Sequence, residues 1–236
     1  MGVPIIAPQN RFQPAHSFAM SKVALVTGND TGVGKTNASF CLVKALAEIG
    51  SVRYVKVVET GVSNERSSDV GRMEIMANDF LESAVTLRSY KKALAPVAAA
   101  EQQGDVLSLP ELVSETKRLV GSGWTIVEGA GGLAVPLERS GGDWRDFATT
   151  LPVDLVILVL ENRLGSINQM RLLEAYCSEL PMACGFWLNE VSPQDSEVSL
   201  ANEDALASSK IPTWAIQHHD EPPAFMDPPW EREILK

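Results

Sequence analysis

Short apolar runs alternate along this chain with stretches of helical period. Residues 23–26, 52–58, 125–128, 153–160, 183–188 and 212–216 are rich in aliphatic and β-branched side chains and short enough to be strands. Between them, residues 37–48, 67–81, 108–120 and 166–180 read as helices, with Asp69 near the start of the second. Ser108-Leu109-Pro110-Glu111 has the form of a capping box with an early proline, opening the third. The run 153–160 is almost wholly apolar, as expected of a central strand covered on both faces. This alternation predicts an α/β fold: a single domain whose mostly parallel central sheet carries helices on both faces. No repeat or linker interrupts it. Residues 1–21, with Pro4, Pro8 and Pro14, are expected to be a disordered extension and residues 22–217 the domain. Residues 218–236, with four prolines and mostly acidic charge, are expected to be an irregular tail.

Composition narrows the function. The 236 residues, 45% of them hydrophobic, suffice for one sizeable core. A net charge of −10 and a pI near 4.8 leave no basic stripe for a phosphate backbone, which argues against nucleic acid. An anionic small molecule would need a local cluster of donors such as Lys35 and Lys56. Cys41, Cys177 and Cys184 form no Cys-x-x-Cys pair and read as buried thiols of a reducing, cytoplasmic compartment. No apolar run approaches the roughly 18 residues of a membrane span.

The chemistry is concentrated where strands end. Residues 28–36 read Gly-Asn-Asp-Thr-Gly-Val-Gly-Lys-Thr and lie between the first strand and the first helix. In that context backbone N–H groups of Asp30, Gly32, Val33 and Gly34 cradle phosphate, Lys35 reaches the outer phosphates and the Thr36 hydroxyl can ligate Mg²⁺. Five residues separate Gly28 from Gly34, one more than the strict phosphate-loop pattern allows. Lys56-Val57-Val58-Glu59-Thr60-Gly61 closes the second strand, Glu128 ends another before Gly129-Ala130-Gly131-Gly132, and Asn189 ends a third. Ligands of open parallel sheets bind at this edge, and a strand-end carboxylate beside a phosphate loop is an expected Mg²⁺ partner. Taken alone, each has a plainer explanation: a solvated edge carboxylate, a surface lysine, a turn-starting asparagine.

The motifs taken in order are more specific. Residues 28–36 and 56–61, then Ser68-Asp69, then Val127 to Gly132 with Val135-Pro136-Leu137, then Arg163-Leu164-Gly165-Ser166-Ile167-Asn168, then a strand ending in Asn189, resemble the dethiobiotin synthetase family of phosphate-loop enzymes. The resemblance implies an ATP- and Mg²⁺-dependent ligase of biotin synthesis acting on 7,8-diaminopelargonate and CO₂. One amine captures CO₂ as a carbamate, a carbamate oxygen takes the γ-phosphoryl group, and the second amine closes the ureido ring as phosphate leaves. It further implies Lys35, Lys56, Thr31 and Thr60 around the reacting groups, and Thr36, Asp69 and Glu128 as Mg²⁺ ligands. Gly131 and Gly132 would let backbone approach the diamine. The enzymes of this family are homodimers, so the substrate's carboxylate tail would reach Gly165, Ser166, Ile167 and Asn168 of a second subunit, and Asn189 would read the base.

The sequence departs from the family pattern at Val57, where proline is usual, at Val97 and Gln169, where histidine is usual, and over residues 217–220. Two other readings keep the nucleotide and drop the chemistry: a ParA- or MinD-like ATPase switch, and a degenerate homologue that binds without turnover. The first usually carries an additional lysine inside the phosphate loop, which residues 29–33 lack. His218 and His219 read as a solvated turn rather than a metal site, and Trp124, Trp187 and Trp214 as core.

Overall fold

The computed structural model describes residues 21–64 and 68–231; residues 1–20 of the extension expected over 1–21, and Ser67 at the start of the expected second helix, lie outside them, whereas Ser21 already belongs to the first strand. The elements run β1 (Ser21–Gly28), α1 (Lys35–Ala47), β2 (Val52–Thr60), α2 (Asp69–Ala77), β3 (Ser83–Tyr90), α3 (Pro96–Gln102), α4 (Leu109–Leu119) and β4 (Gly123–Glu128). They continue with α5 (Trp144–Thr150), β5 (Leu155–Glu161), α6 (Ser166–Cys177), β6 (Ala183–Asn189), α7 (Ser196–Ala207), β7 (Thr213–Gln217) and β8 (Ala224–Phe225). The eight strands form one sheet in the order β3-β2-β4-β1-β5-β6-β7-β8, parallel except for β8, which runs antiparallel to β7.

Strand alternation splits the core into two layers. Val23 and Leu25 of β1 and Val156, Leu158 and Leu160 of β5 point into a cluster with Leu112 of α4, Trp144 and Phe147 of α5 and Leu173 of α6. Ala24, Val26, Ile157 and Val159 point the other way, to Leu42 and Leu46 of α1, Met73 of α2, Trp187 and Trp214. Both faces are therefore covered, which is why these strands carry no polar alternation. Trp124, Trp187 and Trp214 belong to this second layer.

Several elements differ from the sequence reading. Ser108 does cap α4, but its side chain takes no capping hydrogen bond; Glu138 instead accepts from the Leu109 N–H at 3.1 Å. The second helix stops at Ala77, and a 3-10 turn follows over Asn78–Phe80. β3, α3, α5 and α7 went unmarked in the hydrophobic pattern. β3 is an edge strand, half-exposed over most of its length, so Thr86, Arg88 and Ser89 interrupt any apolar run there. α5 is closed by a box of Asp143 and Asp146, an acidic pair in place of the Ser/Thr–Glu form. Within the stretch read as an irregular tail, β8 pairs with β7, and Trp230 is buried edge-on to Trp214 and Phe225.

Candidate functional site

Parallel pairing in register brings the chemistry-bearing strand ends together. Lys56 of β2 pairs with Glu128 of β4, Glu128 with Val26 of β1, and Glu161 of β5 with Asn189 of β6. The phosphate loop leaves β1 beside them and turns into α1 through Gly34, which adopts a left-handed φ of 93°. A Cβ on Gly34 would stand 2.1 Å from Asn189 Nδ2, so only glycine fits. No side chain caps α1, which leaves its first-turn N–H groups for an anion.

A cavity of about 720 Å³ is lined by Thr31, Gly32, Gly34, Lys35, Thr36, Lys56, Thr60, Asp69, Glu128 and Gly131, among others. At its floor lies a tight polar network. Glu128 is fully buried, and each carboxylate oxygen takes two donors. Oε1 accepts from Thr36 Oγ1 at 2.9 Å and Lys56 Nζ at 2.7 Å; Oε2 accepts from Ser39 Oγ at 2.7 Å and Tyr54 OH at 2.9 Å. Lys56 also meets Asp69 Oδ2 at 2.7 Å and the Gly129 carbonyl at 3.1 Å. Burial alone would lower the Lys56 pKa, but Glu128 and Asp69 outweigh it and hold the ammonium above the ordinary lysine value. Burial likewise pushes the Asp69 carboxyl up, and Lys56 overrides it, leaving Asp69 below the usual range.

Lys35 is the contrasting case. Its ammonium donates to the Asp30 carbonyl at 2.6 Å, and burial followed by the nearby Lys56 charge brings its pKa down to about 8. The other expected loop residues serve the backbone: the Asp30 carboxylate accepts the Thr31 N–H at 2.7 Å, and the Val33 carbonyl accepts from Asn189 Nδ2 at 2.9 Å. Asn189 thus clamps the loop while lining a second cavity of about 780 Å³ with Asn37, Phe40, Gln217, His218 and Trp230. Cys41 lines that cavity too. It and Cys184 are half-buried rather than buried as expected, because Cys41 faces the opening; Cys177 is buried, and no disulfide forms.

Gly132 lies apart from the first cavity, in a smaller one of about 400 Å³ with Thr31, Leu133, Val135, Gln169, Leu172 and Tyr176. Thr31 and Val135 border both, so the two are contiguous. Gly165, Ser166, Ile167 and Asn168 line none of the three cavities. Ser166 is turned inward: its N–H goes to the Arg163 carbonyl at 3.1 Å, and its hydroxyl accepts from the Arg163 N–H at 3.1 Å, which removes Ser166 from the set of free donors. His218 sits at a turn with Nδ1 3.4 Å from Glu190 Oε2.

Sequence reading missed Ser39, Tyr54 and Glu59. Two signals were available: Ser39 lies three residues after Thr36 on α1, and Tyr54 two before Lys56 on β2, spacings that place each pair on one face. Glu59 accepts the Asp69 N–H at 2.7 Å, and burial pushes its pKa up.

The donor set suits a hard cation. Thr36, Asp69 and Glu128 offer one hydroxyl and two carboxylates, the hard oxygens Mg²⁺ takes, and the two carboxylates meet at Lys56. Among the described residues no cluster of three or more His, Cys, Asp or Glu could hold a metal by itself. Nor is any described helix long and apolar enough to cross a membrane.

A parallel sheet with a glycine loop opening onto α1, Lys35 at the helix start and a carboxylate on the neighbouring strand defines a phosphate-loop nucleotide-binding protein. A family model described as an AAA domain matches residues 22–209. ATP-dependent dethiobiotin synthetase BioD of Mycobacterium marinum is 37% identical over 191 residues, spanning 78% of this chain and 82% of that protein. The enzyme of the same name from Anaeromyxobacter sp. (strain K) is 32% identical over 216 residues, spanning 89% and 91%. The chain belongs to the dethiobiotin synthetase family. Among solved structures, a plasmid partition protein from Borrelia burgdorferi B31 bound to AMPPNP shares the fold alone. Its TM-score is 0.55 at 11% identity, over 91% of this chain and 95% of that one.

Proposed function

We propose that this protein is an ATP-dependent dethiobiotin synthetase, joining CO₂ to 7,8-diaminopelargonate at the expense of ATP. The observation that carries the reading is Lys56, a buried ammonium held between Glu128 and Asp69 beside the phosphate loop. A carbamate and a triphosphate repel each other, and a preorganised cation between them lowers the barrier to phosphoryl transfer. In this reading the N–H groups of Asp30, Gly32, Val33, Gly34 and Thr36, with Lys35, hold the phosphates, Lys56 faces the carbamate oxygen, and the hydroxyls of Thr31 and Thr60 orient the reacting groups. The carbamate oxygen displaces ADP from the γ-phosphorus; the second amine then attacks the carbamoyl carbon, and inorganic phosphate leaves. Mg²⁺, held by Thr36, Asp69 and Glu128, would neutralise phosphate charge. The contiguous smaller cavity, with Leu133, Val135 and Leu172 on its wall, suits the polymethylene chain of the diamine. The base would lie toward Asn189 in the cavity of about 780 Å³. Residues 22–217 would form the ligase domain, active in the cytoplasm as a homodimer in which Gly165, Ile167 and Asn168 receive the substrate carboxylate.

The test is a product assay for dethiobiotin with several nucleoside triphosphates in turn. ADP release should require diaminopelargonate and bicarbonate together. Hydrolysis indifferent to both would replace the ligase by a nucleotide switch.

A further inference from the structure

Asp69 opens α2, whereas Lys56 lies on β2, and hydrogen bonds at the helix start set where the Asp69 carboxylate stands. The Ser68 side chain caps α2 by accepting the Gly71 N–H at 3.0 Å, and Glu59 accepts the Asp69 N–H at 2.7 Å. The first N–H groups of a helix have no partner within it, and the serine cap here does not reach that of Asp69. Glu59 supplies the missing acceptor from a neighbouring element.

The anchor itself is rigid. Glu59 belongs to β2, where it pairs with Ser89 of β3, three residues beyond Lys56 on the same strand. The Asp69 carboxylate then returns to Lys56 Nζ at 2.7 Å. Strand, Glu59, helix start, Asp69 and Lys56 make a closed circuit. Glu59 also lines the central cavity and is 8% exposed, and its second oxygen, Oε2, is buried with no hydrogen-bond partner. A carboxyl buried for the sake of fold stability would have both oxygens satisfied. This one keeps a single bond, and that bond lands on the residue whose carboxylate meets Lys56.

We propose that Glu59 is a positioning residue, which sets the Asp69 carboxylate against Lys56 and the divalent cation by accepting the Asp69 N–H. The inference rests on the reading of Asp69 as a metal ligand. A glutamine preserves the accepting oxygen and removes the charge, whereas an alanine removes both.

Mn²⁺ serves as the probe, titrated into protein saturated with ADP and followed by the electron paramagnetic resonance of the free ion. E59A is expected to weaken Mn²⁺ binding about tenfold or more, the usual effect of removing an outer partner of a metal ligand. E59Q should bind Mn²⁺ like the unaltered protein, and both variants should bind ADP normally in EDTA. Unchanged Mn²⁺ affinity in E59A, or an E59Q as weak as E59A, overturns the proposal. Asp69→Ala separates the two readings: if it leaves Mn²⁺ binding intact, the metal role of Asp69 fails, whatever Glu59 does. Hydrogen exchange in the unaltered protein gives an arm that no folding defect can blur. The Asp69 amide should be protected, and exchange at the rate of an open loop amide would refute the bond.

Discussion

At the scale of single residues, the two lysines do different work because nearby carboxylates outweigh burial at Lys56 and do not at Lys35. Lys56 has two carboxylates within 2.7 Å and stays charged, whereas Lys35 has a carbonyl and a neighbouring ammonium. Lys56→Ala should therefore lower dethiobiotin formation by about a hundredfold or more, the scale of losing one transition-state donor. Nucleotide affinity, which rests on the loop, should stay close to normal. Equal losses of turnover and nucleotide binding, compared by product assay and calorimetry, would place Lys56 in ground-state binding instead. Lys35 carries the pH prediction. Its pKa in the free protein is near 8, and a triphosphate needs its ammonium form. Above that pH, binding must take up a proton, so the affinity for ATP in EDTA should fall by about tenfold per pH unit between pH 8.5 and 10. The same depression disfavours the fold below pH 8, where Lys35 is charged and buried, and relieves it as pH rises toward the unfolded value. An affinity flat across this range would show that Lys35 is not a phosphate contact.

At the scale of elements, legibility followed burial. β1, β4, β5 and β6 are buried over most of their length, so their apolar runs stood out in the sequence; β3, on the edge, has no such signal. The phosphate loop, Lys56, Asp69 and Glu128 were readable because their order along the chain is a family pattern. Ser39, Tyr54 and Glu59 were missed: spacing put the first two on a face with Thr36 and Lys56 but named no partner, because each acts on a group supplied by a different element. β6 offers a test of packing that no motif marks. Gly185 lies under the Trp214 ring of β7, and a Cβ there would sit 1.9 Å from the indole carbon Cδ2. Trp214 in turn packs edge-on against Trp230 at 5.6 Å, so it has little room to retreat. Gly185→Ala should cost about 1–3 kcal/mol of stability through overpacking. In a domain of this size that lowers the melting temperature by about 2–4 °C per kcal/mol, measurable by calorimetry. Turnover per folded molecule should be unaffected, since Asn189 clamps the loop from the other end of the strand.

At the scale of the whole molecule, the start of α6 exposes apolar side chains. Leu164, Ile167 and Leu172, at and along the start of α6, are 81%, 40% and 59% exposed. An apolar group of this kind on a soluble protein marks a contact face. It lies on the helix whose Gln169, Leu172, Leu173 and Tyr176 wall the smaller cavity, next to Gly165 and Asn168, which line none of the three cavities described. A substrate with a carboxylate at one end and a diamine at the other needs an anion receptor some distance from Lys56. A two-fold contact through this face would bring each copy's α6 start to the other's cavity, each surface matching itself as a closed dimer requires. The protein should sediment as a dimer. Leu164→Glu should split it, placing a charge in the contact without touching the phosphate loop. Because the loop, Lys56 and the metal ligands all come from one chain, the monomer should bind ATP normally. Its KM for diaminopelargonate should rise by about tenfold or more, the measure of one lost charge-assisted hydrogen bond. A variant that is monomeric with an unchanged KM would show each site to be complete within one chain, and the exposed leucines would then need another explanation.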